Sequence, residues 1–198
     1  MTDFRLWSGS PTGQTNRGGF TDDLGVQFTI TTDGVNAATI NGFYFWAPST
    51  GDFDHTKYSW RLYSTTNGTT GSLISNSTTN VAVDFTASAW NYQALAAPLT
   101  LTNGTTYVAV LHSTSTNISH YTGTDSYWSS GAGASGIKSG PIFAPGTATA
   151  LNGAQCSYNE PSASAAFPTS TLGTNYWLDV SISYSGSITD SFTSTSTW

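Results

Sequence analysis

The chain has 198 residues, 37% hydrophobic, 14% aromatic and only 8% charged, with five basic against eleven acidic side chains and a net charge of −6. Five scattered cations cannot build the basic face that phosphate neutralisation requires, which excludes nucleic acid and electrostatic docking on a membrane surface; no run approaches the ~18 apolar residues of a membrane span. The lone Cys156 excludes an internal disulfide framework, and a chain this long buries roughly 70% of its unfolded surface, so its core needs no metal, and no cofactor is expected.

Strong helix formers are scarce, and apolar residues recur with period two rather than 3.6. After an aromatic strand-like start, "MTDFRLW", the segment "LGVQFTI" puts Leu24, Val26, Phe28 and Ile30 on one face. "INGFYFWAP" reads as a dense aromatic strand ended by Pro48. "KYSWRLYS" sets Tyr58, Trp60 and Leu62 against Arg61 and Tyr63; "NVAVDF", "WNYQAL", "TTYVAVLHS" and "NYWLDVSISY" continue the series. Gly-rich turn signals at 32–34, 66–71 and 102–106 separate these runs.

Strands at this spacing predict an all-β chain, a single antiparallel β-sandwich or a barrel. From Ser129 to Pro168 the alternation dissolves into Gly, Ala, Ser and Pro, read as long ordered loops over one sheet edge with one short strand. Residues 1–185 are expected to form one domain and 186–198 a polar tail, with Trp198 docked on a neighbour if ordered.

Two carboxylates facing across a cleft would be needed for glycoside hydrolysis. Glu160 is the only glutamate, most aspartates sit in turn contexts, and Asp179 lies in a strand, where a hydrogen-bonding role suits it better than catalysis. No G-x-S-x-G elbow or Cys-His context is present, so the chain is expected not to be an enzyme. In "GDFDH", Asp52, Asp54 and His55 are weak candidates for a cation loop, but they equally describe a solvated turn with Asp side chains capping backbone N–H groups, the reading preferred here. His112 and His120 could face each other across a hairpin; zinc would need further ligands, and hydrogen bonding inside the sandwich is the plainer role. The four N-x-S/T sequons, at Asn67, Asn76, Asn103 and Asn117, carry no weight in a Ser/Thr-rich chain.

The aromatic excess is the informative feature. Exposed rings offer an apolar face to sugar C–H groups at low entropy cost, with Asn, Asp and Gln to bond the hydroxyls. Trp60, Trp90, Tyr92, His112, His120, Tyr121, Tyr127 and Trp128 are the candidate ligand-binding residues. "HYTGTDSYWSSG" is the best single segment, because its rings lie among turn residues. Packing in the core or at an interface is the competing role for each of them.

"SGSPTGQTNRGGFTDDLGVQFT", the "TYVA" strand at Thr106–Ala109 with His112 beyond it, SGP-x-x-AP at Ser139–Pro145, FPT at Phe167–Thr169 and NYW-x-DV at Asn175–Val180 carry a resemblance. From Phe4 to Tyr184 the chain resembles the bacterial and phage domain-of-unknown-function 4082 family, which often sits beside glycosidase, chitinase or immunoglobulin-like modules. The resemblance implies a jelly-roll-like sandwich of the carbohydrate-binding type without an established catalytic site, and names no ligand.

A charge-poor, Ser/Thr/Gly/Asn-rich chain that starts at a Met without an export signal can reach the outside by assembly into a particle released on lysis. The expectation is therefore a non-enzymatic structural or adhesive protein of a phage virion surface, a capsid decoration or minor tail protein. Its partners would be other virion proteins or copies of itself, and host glycans. The alternative is a carbohydrate-binding accessory module of a secreted bacterial glycosidase, acting extracellularly.

Overall fold

A computed structural model describes residues 2–34, 36–116, 119–153, 155–161 and 163–186. The tail from residue 187 on, Trp198 included, and the Asn117 sequon lie outside the described residues. The strands are β1 (Thr2–Phe4), β2 (Thr15–Arg17), β3 (Asp22–Ile30), β4 (Ala38–Trp46), β5 (Tyr58–Thr65), β6 (Ser72–Leu73), β7 (Thr79–Asn80) and β8 (Trp90–Leu101). They continue with β9 (Thr106–Ser113), β10 (Tyr121–Gly123), β11 (Ile137–Ser139), β12 (Ile142–Ala144), β13 (Cys156–Asn159), β14 (Ser170–Leu172) and β15 (Leu178–Tyr184). Two short 3-10 turns, His55–Lys57 and Leu151–Gly153, are the only helical pieces among the described residues.

The strands form an all-β, sandwich-like arrangement. The smaller sheet runs β1-β15-β4-β8; the larger runs β11-β12-β3-β9-β5-β6, with β13 also on β3, β14 on β13, and β7 on β5. A separate pair joins β10 to β2. The long pairings are antiparallel, β3 with β9, β5 with β9, β4 with β8 and β15 with β4.

Period two decides what faces inward. Leu24, Val26, Phe28 and Ile30 of β3 meet Ile40, Phe43 and Phe45 of β4 and Leu178, Val180 and Ile182 of β15 in one core. Ile40 and Phe43 are three apart yet share a face, because the β4–β8 register shifts between Ile40 and Gly42. Across the layers the Phe43 ring stacks on Trp60, centroids 4.8 Å apart and planes 7° from parallel. Outside the larger sheet, Tyr63, Val108 and Val110 are covered by Phe167, whose ring meets Tyr63 edge-on at 5.5 Å.

Two expectations change. "NVAVDF" is not a strand beyond Asn80: Val81 and Phe85 are buried from a loop. The Ser129–Pro168 stretch carries three short strands, β11, β12 and β13, two of which pair directly with β3. Gly and Ala there allow close approach rather than looseness, which local composition does not distinguish.

The Phe43–Trp60 stack couples the two layers. Trp60→Ala should cost about 3–5 kcal/mol in urea unfolding. A double-mutant cycle with Phe43→Ala should return a coupling of about 0.5–1.5 kcal/mol; additivity would show that the stack adds nothing beyond buried area.

Candidate functional site: an aromatic platform on the smaller sheet

β1 ends at Phe4, and the next three residues leave the sheet and cross its outer face. Their backbone donors need partners, and the buried Asp179 on β15 supplies them. Its Oδ1 accepts from Leu6 N (2.9 Å) and its own neighbour Val180 N (2.7 Å), while Oδ2 accepts from Trp7 N (3.1 Å) and Arg5 Nε (3.3 Å). Burial pushes this carboxyl up to about 6, against the pull of the Leu6 and Trp7 N–H groups and the Arg5 charge.

That anchorage sets two side chains. The Arg5 guanidinium lies 3.5 Å from the Tyr44 ring centroid and 4.8 Å from that of Trp90, a cation held on two π faces. Trp7 turns the other way, stacking on Trp90 at 6.3 Å and meeting Trp128 and Trp177 edge-on at 5.9 and 5.4 Å. Trp7 Nε1 donates to Tyr127 Oη (3.2 Å) and Trp90 Nε1 to Gly9 O (2.9 Å).

The outer end of this ladder is Tyr92 of β8. Its ring sits 4.7 Å from Tyr44 and lies down over Gly42, where any Cβ would come within 2.8 Å of the Tyr92 Cε2 and Oη atoms. The hydroxyl donates to Asn41 O (3.2 Å), at the register shift. Tyr92 is 45% exposed, packed at a tilt against Tyr44 with the rest of the side chain in solvent. A polar row runs beside it, with Asn41 Nδ2 donating to Ser183 Oγ (2.5 Å) and Ser183 Oγ to Asp3 Oδ1 (2.5 Å).

Of the residues singled out from the sequence, this platform gathers Trp90 and Tyr92 and leaves out the rest. Trp60 is 1% exposed under Phe43, and Trp128 is fully buried. Tyr121 and Tyr127 are buried too, Tyr121 edge-on to Tyr176 at 5.7 Å and Tyr127 to Trp177 at 5.2 Å. These four rings serve as core: Trp60 points inward from β5, and the turn-rich "HYTGTDSYWSSG" folds Tyr121, Tyr127 and Trp128 inward rather than out.

His112 and His120 do not face each other. Consecutive residues of β3 point to opposite sides, so Asp23 takes His112 (Oδ1 to Nδ1, 2.9 Å) and Asp22 takes His120 (Oδ2 to Nε2, 2.5 Å), all four buried. Asp52 accepts from Ser115 Oγ (2.7 Å) and Asp54 N (3.1 Å), and Asp54 caps the 55–57 turn through Thr56 N (2.9 Å), as the turn reading expects. His55 Nδ1 lies 2.6 Å from Asp84 Oδ1.

Arg5, Tyr44 and Gly42 were not legible as site residues. They reach the platform from β1's continuation and from β4, and only strand register joins them to Tyr92. Burial pushes the Cys156 thiol up to about 12, which keeps it unreactive.

Asp179 titrates in a defined window. Its raised value means that from about pH 4 to about 6 the native state holds a proton the unfolded chain has released, so its contribution to stability falls as pH rises there. Asp179→Asn removes the carboxylate from Arg5 and an acceptor from the Leu6 and Trp7 N–H groups, and should cost about 1–3 kcal/mol at pH 7. In urea titrations the gap between wild type and variant should narrow from pH 4 to 6; a constant gap would show that the carboxyl titrates normally.

No curated protein sequence matches this chain. One family model does, over residues 8–178, and its description is that of a domain of unknown function. That span covers most of the fold, from the residue after Trp7 to the start of β15. The chain belongs to the DUF4082 family.

Proposed function

We propose that this chain is a non-catalytic adhesive domain that holds a glycan on the Tyr92 platform, displayed on a phage virion surface as a capsid decoration or minor tail protein. The observation that carries the reading is the half-exposed Tyr92 ring, held over Gly42 and against Tyr44 at the surface of the smaller sheet. A pyranose presents C–H groups to such a ring, and the half-buried Asn41 beside it is the amide within reach of a sugar hydroxyl. In this reading the sandwich is a jelly-roll-like scaffold and the loops contribute rigidity rather than chemistry.

The disposition of the acids supports a non-catalytic role. Asp22 and Asp23 are spent on buried histidines and Asp179 on backbone donors. Two surface grooves, one bordered by Ser64, Thr65, Thr70 and Thr105 and the other by Thr32, Asn36 and Asn103, have no titratable side chain in their walls. A general acid needs a perturbed carboxyl beside a substrate-sized space. The same platform would equally serve an extracellular accessory module of a glycosidase; the sandwich is common ground, and a fused hydrolase reading frame favours that setting while capsid and tail neighbours favour the virion.

A glycan array and affinity electrophoresis against bacterial surface polysaccharides test the binding. Tyr92→Ala should weaken the strongest hit by about tenfold, the worth of one stacked ring, while lowering the thermal midpoint by only a few degrees, because little more than half of the ring is buried. No binding at millimolar sugar, or an undiminished Tyr92→Ala, would end the glycan reading and leave a purely structural role.

A further inference from the structure

We propose that Asp54, His55 and Asp84 form a binding site for a divalent first-row transition metal, separate from the aromatic platform and independent of what that platform holds. One ligand atom from each of the three residues lies within 4.8 Å of the others. Bonds of about 2 Å to one ion put donors on opposite sides of it roughly 4 Å apart, so a single ion can reach all three after small side-chain adjustments.

The trio joins segments far apart in sequence, and both are held by the core beneath. Phe85 is buried between Phe45 and Tyr58, at 5.1 and 4.7 Å, and its N–H donates to Phe53 O (3.0 Å). That fixes Asp84 from one side. On the other, Tyr58 Oη donates to Asp52 O (2.8 Å), and the 55–57 turn begins at Asp54. The two carboxylates and the imidazole are therefore presented by anchored backbone rather than by a free loop.

The donor set selects the class of ion. One imidazole with two carboxylates suits Zn²⁺, Mn²⁺ or Co²⁺, whereas Ca²⁺ takes six to eight oxygens. Asp54 Oδ1 accepts from Thr56 N (2.9 Å) and Thr56 Oγ1 (2.6 Å), and Asp84 Oδ1 lies 2.6 Å from His55 Nδ1, so the trio is drawn together before an ion arrives. Lys57 is the cation acting on Asp54, so the two carboxylates leave local negative charge for an ion to neutralise. Of the chain's three histidines, two are buried against Asp22 and Asp23; His55 is the imidazole at the surface.

Isothermal titration of the untagged full chain with Zn²⁺ should show saturable one-to-one binding. His55→Ala and Asp84→Asn should each weaken it by at least about tenfold, and both positions are surface enough that circular dichroism of the metal-free variants should match wild type. Absence of one-to-one binding would overturn the proposal. So would binding lost in His55→Ala but kept in Asp84→Asn, which is single-histidine adsorption, or tighter binding of Ca²⁺ than of Zn²⁺.

Discussion

One buried carboxylate organises the outer face of the smaller sheet. Asp179 sits on an interior strand of the smaller sheet and gathers donors from Leu6, Trp7, Val180 and Arg5. Taking a carboxylate out of water is costly, by several kcal/mol even after relaxation, and only good geometry with several charge-assisted hydrogen bonds offsets that. Here the offset comes from a segment that has left its own ladder and would otherwise have unpaired N–H groups. The carboxylate and the segment therefore require each other, and Arg5 and Trp7 are placed as a consequence.

The same economy appears on β3. Asp22 and Asp23 are adjacent, so the pleat sends them to opposite sides, and each meets a histidine from a different part of the chain, His120 and His112. Asp23 also accepts from Ala166 N (3.2 Å), which helps hold the 166–169 segment over the larger sheet. Phe167 then covers Tyr63, and Pro168 closes on Gly25, where a Cβ would sit 3.0 Å from it. In a chain with so few charges, the buried acids act as fasteners between layers and coverings.

Much of the fold was legible because alternation is a local property. Leu24 to Ile30, Tyr58 to Leu62 and Leu178 to Tyr184 announce their inward faces directly, and β3, β5 and β15 follow. Asp179 could be recognised from its strand as hydrogen-bonded, though not as the partner of residues 5–7. "NVAVDF" misled because Val81 and Phe85 are buried by a loop crossing the sandwich end, which gives the same apolar spacing without a ladder. "HYTGTDSYWSSG" misled in the opposite sense: turn residues usually mark surface, but here small Gly and Ser let the chain bring Trp128 against Trp7. The platform itself had no sequence signature. Tyr92 and Gly42 are fifty residues apart, and what joins them is a register shift that no local pattern records.

That register shift also bears on why the platform can lie where it does. β8 is an edge strand of the smaller sheet and carries no charge from Trp90 to Leu101, which on a regular strand invites edge-to-edge pairing. Its pairing with β4 passes from Gly42↔Ala94 to Ile40↔Leu99, so Leu95 to Pro98 bulge out opposite Asn41 alone. The bulge breaks the edge and Pro98 removes a donor, two features that protect natural sheets. The opposing bulge residue, Asn41, offers its carbonyl to the Tyr92 hydroxyl, and Gly42 beside it gives the ring room. One irregularity thus interrupts the exposed edge and seats the Tyr92 side chain over Gly42, so the two features share one structural cause.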